Sequence, residues 1–131
     1  MTGSNLMTIG VAVIATFVMS TVWYIAFANQ RRALSVAAAA ETKRPRPLKV
    51  ACELLRSFLL ASVLAYLQSR TGAVGAAGAV RLGLVLWIGF PFVLLTGSIL
   101  WEGVPWKLAA IHAGDWLVKM ILITVILAVG H

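Results

Sequence analysis

The chain has 131 residues, 61% hydrophobic and 11% charged, with a formal net charge of +7. Soluble domains run about 45–50% apolar and about 25% charged, and small ones leave much of their area in solvent, so this composition excludes an ordinary water-soluble fold and points to lipid. The positive charge does not point to nucleic acid: six of the eleven basic residues (Arg31, Arg32, Lys43, Arg44, Arg46, Lys49) sit in one segment between hydrophobic runs, without a groove-reading motif.

The predicted fold class is all-α, an integral membrane bundle of four transmembrane helices in a single domain over residues 1–131. The first span, 6–28, contains no charge and is about 35 Å long at the helical rise. No Lys or Arg precedes it and it is too long for a signal-peptide core, so it is expected to be retained. Trp23 and Tyr24 near its end suit the headgroup boundary as interface anchors.

Residues 29–49 form a basic connecting loop whose six cations are expected to contact anionic lipid. Its Ala-rich part suits a short surface helix. Lys43-Arg44-Pro45-Arg46-Pro47 then favours extended chain, because proline disfavours helix in the residue before it. The second span, about 50–68, carries Glu53 and Arg56 one turn apart. Cys52 excludes an intrachain disulfide, being the single cysteine, and reads as a small buried apolar residue.

The third span, about 82–100, holds Gly89 and Pro91 near its middle. Proline lacks the N–H that would bond the Trp87 carbonyl, so a kink is expected there. Gly89 and Gly97, eight apart, and Gly114 beside Asp115 in the fourth span suggest close helix packing, with a substrate groove at the Gly89–Pro91 break as the sharper alternative. Gly103 and Pro105 end this helix, and Trp101, Trp106 and Lys107 are placed as interface anchors.

The fourth span, about 108–130, holds the most informative residues. His112, Asp115 and Lys119 share one helical face inside an apolar segment, where ionisable groups are costly and need partners. With the 29–49 loop in the cytoplasm, seven Lys and Arg lie on that side against two outside, which predicts N-out and C-out termini. The second and fourth helices then enter from the same side. Pairing of Glu53 with His112, or of Arg56 with Asp115, becomes feasible, while within each helix the acid-before-base spacing favours contact of Glu53 with Arg56 and of Asp115 with Lys119.

Two readings of these five residues compete. In one they form a neutralised polar seam that holds a bundle or homo-oligomer together; in the other they line a transport pathway between the second and fourth helices. The first makes the chain a non-enzymatic structural or accessory protein that binds membrane lipids or another membrane protein. The second makes it a small transporter or channel. No nucleophile–base pair, metal motif or phosphate loop is visible, so no catalytic residue, metal set or cofactor is expected.

Three stretches also carry a resemblance: Leu86-Trp87-Ile88-Gly89-Phe90-Pro91, Trp101-Glu102-Gly103-Val104-Pro105-Trp106-Lys107, and Ile111-His112-Ala113-Gly114-Asp115-Trp116-Leu117-Val118. With Trp23-Tyr24, they resemble a bacterial family of small four-helix membrane proteins, the domain of unknown function 1761. The resemblance implies four helices in a bacterial cytoplasmic membrane and supplies no activity.

Overall fold

The computed structural model describes residues 3–34, 47–72 and 75–130. Among them the chain is helical: α1 (Gly3–Ala26), α2 (Ala28–Leu34), α3 (Pro47–Thr71), α4 (Gly75–Gly89), α5 (Pro91–Glu102) and α6 (Trp106–Val129). α1, α3, α6 and the α4–α5 pair taken together are each long and apolar enough to cross a membrane. Helix is what such a segment must form, since lipid offers no partner for a free backbone N–H or carbonyl.

The helices run further than the apolar stretches. α3 begins at Pro47, a favourable first-turn residue because its missing N–H would be unpaired there anyway. The expected break in the third span falls at Phe90 (φ −121°, ψ −77°), and α5 starts afresh with Pro91. Gly103 ends α5 in the left-handed conformation (φ 67°), and the Val104 N–H closes the turn on the Ser98 carbonyl at 3.2 Å. α2 overlaps only the start of the Ala-rich stretch expected to form a short helix, the remainder of which lies outside the described residues. Lys43, Arg44 and Arg46 lie outside the described residues.

α6 is the centre of the bundle and touches each of the other described helices. Its burial is accordingly not confined to one stripe: Ala109, Ile111, Asp115, Lys119, Met120, Ile123, Thr124 and Leu127 are all buried. α1 presents Ile9, Ala12, Val13, Thr16 and Ser20, and α3 presents Ser57, Ala61, Leu64 and Gln68. The large apolar residues left outside, such as Val11, Ile14, Leu55, Leu59 and Val93, form the surface that lipid covers.

Two expectations fail here. A Cβ added at Gly89 or Gly97 would meet nothing within 4 Å, so neither glycine marks a close approach. The close approach expected at Gly114 is present, where a Cβ would lie 2.5 Å from the Trp23 ring, and others occur at Gly83, 3.2 Å from Thr124 Oγ1, and at Gly130, against the Thr8 side chain. Cys52 is exposed rather than buried. It lies off the stripe that α3 turns to the core, and its small apolar thiol is as well placed against lipid as against protein.

Candidate functional site

The ends of α1, α3 and α6 that adjoin the basic connection come together around Asp115. This carboxylate is 2% exposed at its side chain, and both its oxygens are engaged. Ser20 Oγ–H donates to Oδ1 at 2.7 Å and the Tyr24 hydroxyl donates to Oδ2 at 3.2 Å. The Lys119 ammonium lies 3.4 Å from Oδ2, one turn along α6. Such convergence offsets the cost of burying a carboxylate that would be left unpaired without it.

Lys119 carries the network to α3. Its ammonium is 3.8 Å from Glu53 Oε1 and sits over the Trp116 ring at 4.8 Å from the centroid. A helical side chain leans toward its own N-terminus, so Lys119 reaches back toward the end of α6 where Asp115 lies. Arg56 Nη1–H donates to Glu53 Oε2 at 2.7 Å. Side-chain exposure rises along the alternating sequence Asp115, Lys119, Glu53, Arg56, from 2% through 6% and 34% to 64%. Negative and positive groups thus alternate from the core to the surface of the bundle.

His112 joins through Tyr24, whose hydroxyl lies 2.8 Å from Nδ1. A phenol has one hydrogen to give. In its contact with the carboxylate, that hydrogen goes to Asp115 Oδ2. His112 Nδ1 therefore bears a hydrogen and donates to the Tyr24 oxygen, leaving Nε2 as the acceptor nitrogen. Arg31, from α2, lies over the Tyr24 ring with its guanidinium carbon 4.7 Å from the centroid.

Two tryptophans clamp α6 beside the charges. Trp23 Nε1–H donates to the Ile111 carbonyl at 3.0 Å and Trp87 Nε1–H to the Ala113 carbonyl at 2.9 Å. The close seat of Trp23 requires that residue 114 have no side chain.

The structure therefore brings Glu53, Arg56, His112, Asp115 and Lys119 into one network, in which the contacts favoured within each helix, Glu53–Arg56 and Asp115–Lys119, are made and the pairs between helices differ from those expected. Glu53 reaches Lys119 rather than His112, and Asp115 takes Ser20 and Tyr24 rather than Arg56. Arg56 bends back one turn along its own helix, away from α6. Trp23 and Tyr24, expected as headgroup anchors, turn their polar atoms inward to α6. Trp101, Trp106 and Lys107 are exposed at the α5–α6 turn, and Lys107 Nζ lies 5.8 Å from the Trp106 ring centroid. Arg32 and Lys49 are exposed and Arg31 half-buried.

Sequence reasoning missed Ser20. The available signal was spacing: Ala12, Thr16, Ser20 and Tyr24 recur every four residues on α1 and mark a small and polar stripe. Among the described residues, no three His, Cys, Asp or Glu side chains gather as a metal-binding set. An open groove of about 560 Å³, lined by Thr71, Gly72, Arg81 and Val85 among others, lies at the α3–α4 connection, the opposite end of the bundle from the charged residues.

The chain belongs to the family described as protein of unknown function (DUF1761), whose model matches residues 7–128. The match spans all the elements that build the network. No curated protein and no solved structure gives a significant match.

Proposed function

We propose that this chain is a non-enzymatic structural or accessory protein of the bacterial cytoplasmic membrane, binding lipid or a membrane partner, and that its buried charges are a seam holding α1, α3 and α6 in register. One observation carries the reading: the charged network stops at Lys119. Beyond it the interior is filled by Ile9, Ala12, Leu64, Ile123 and Leu127, and the polar groups there are neutral. A continuous ion path would need polar groups through that half as well.

In the proposed orientation the basic connection faces the cytoplasm and both termini face outward. Arg31, Arg32, Lys43, Arg44, Arg46 and Lys49 then meet the anionic leaflet, while Trp101, Trp106 and Lys107 anchor the α5–α6 turn on the same side. A C-terminal reporter active only in the cytoplasm should stay silent.

The function is tested by purified protein in vesicles loaded with a pH-sensitive dye. The expected result is proton and cation flux no greater than in empty vesicles, together with reduced stability or altered oligomer size in Asp115→Asn. Flux well above the empty-vesicle level that Asp115→Asn abolishes with the fold intact would replace the seam with a transport pathway.

A further inference from the structure

Lys49 and Arg56 are seven residues apart on α3, about 10.5 Å along the axis and roughly 20° apart around it. Both are exposed on one stripe of the helix. The Arg56 guanidinium is drawn to Glu53 at 2.7 Å, one turn nearer the start of α3. It therefore points toward the end of the bundle that carries the basic connection, and toward Lys49. Glu53 engages Nη1 alone of its three nitrogens, and the side chain is 64% exposed. Leu48, Leu55 and Leu59, all exposed, flank the stripe with apolar surface.

A guanidinium starting below the headgroups is costly in hydrocarbon unless it reaches an anion at the interface. We infer that Lys49 and Arg56 form a binding site for the phosphate of an anionic phospholipid, its acyl chains lying along Leu48, Leu55 and Leu59. The planar Arg56 fork suits two phosphate oxygens, and Lys49 adds a second charge at headgroup level. Glu53 holds the fork in place and is itself tied to Lys119 at 3.8 Å, so the site is braced by the buried network. Of a second copy's carboxylates, Glu53 and Asp115 are engaged within the chain, which leaves the exposed Glu102 as the described acid it could bring, and the disulfide control below tests that occupant. The inference rests on the lipid-binding reading above and deepens it by assigning residues.

Cys52, the single cysteine, is exposed between the two cations and reports on them directly. The full chain, labelled there with a small fluorophore, is placed in phosphatidylcholine vesicles containing a minor fraction of phosphatidylglycerol. Brominated acyl chains, carried by one lipid or the other, quench the label on contact. Phosphatidylglycerol should quench more than phosphatidylcholine at equal mole fraction. Arg56→Gln and Lys49→Gln should each cut that preference about fivefold, a surface cation being worth about 1 kcal/mol. Lys49 is exposed in the first turn of α3, so its variant reports even if Arg56→Gln fails to fold.

Arg32→Gln, which removes a cation of the same leaflet away from this stripe, should lower the preference far less than Arg56→Gln. If it lowers the preference as much as Arg56→Gln does, the attraction is diffuse, which overturns this site and leaves the lipid-binding reading standing. No preference in the wild type overturns both. Ready Cys52–Cys52 disulfide formation in unlabelled protein in pure phosphatidylcholine would show a second copy on the stripe and overturn the site.

Discussion

The bundle has two halves that solve the same problem differently. At the end near the basic connection, α1, α3 and α6 meet through Ser20, Tyr24, Glu53, His112, Asp115 and Lys119, a chain of charged and polar contacts. At the far end the same helices meet through Ile9, Ala12, Leu64, Ile123 and Leu127, with neutral cross-helix bonds: Gln68 Nε2–H to the Thr124 carbonyl at 2.9 Å and Thr8 Oγ1–H to the Gly130 carbonyl at 3.5 Å. Lipid tails are as apolar as leucine, so burial alone does not drive helices together in a membrane. The neutral half relies on close approach, as at Gly83 against Thr124. The charged half relies on directed contacts, which tolerate few alternative registers. Its position near the headgroups also lets its outer members, Glu53 and Arg56, reach a polar environment.

Removing one charge should break this contrast most. Lys119→Met leaves Asp115 and Glu53 without their shared cation and should cost about 3–5 kcal/mol in a denaturation titration of the micelle-embedded protein. The double variant Asp115→Asn with Lys119→Met should recover a large part of that loss, and equal or greater loss would mean that the pair is not coupled. Gly114→Ala should follow at about 1–3 kcal/mol, because its Cβ displaces the Trp23 ring and the Ile111 carbonyl loses its indole donor.

Tyr24→Phe should cost about 1–2 kcal/mol, since it takes one donor from Asp115 and the acceptor from His112. It also tests the proton placement. Nitrogen NMR should find His112 hydrogen-bearing at Nδ1 in the wild type, and Tyr24→Phe should release that preference; a hydrogen held at Nε2 in the wild type contradicts the arrangement. The smallest effect belongs to the neutral half, where Gln68→Leu should cost no more than about 1 kcal/mol. A larger loss there than for Tyr24→Phe would erase the distinction between the halves.

The helices were legible from sequence because spanning lipid leaves a long apolar segment almost no choice but helix. Boundaries such as Pro47 and Gly103 follow from the chemistry of single residues. The acidic and basic members of the network were legible too, since a charge in an apolar run stands out. Ser20 did not stand out, because a serine inside a membrane helix can bond its own backbone and needs no second helix. Gly89, Gly97 and Gly114 looked alike in sequence and Gly83 did not stand out, yet only Gly114 and Gly83 of these four meet a neighbour closely, since the absence of a side chain says nothing about who approaches it.

What the sequence determined by itself was therefore local: four apolar spans, the break at Gly89–Pro91, and the intervals of His112, Asp115 and Lys119 on one face of one helix. Which groups satisfy one another was decided by the packing of α1 and α3 against α6. Seating Trp23 on Gly114 sets how α1 lies on α6, and that carries Ser20 and Tyr24 to Asp115. Lys119 reaches Glu53 because α3 enters from the same side as α6. Pattern along a chain records the cost of burying a charge, and only three helices in contact supply the partners that offset it.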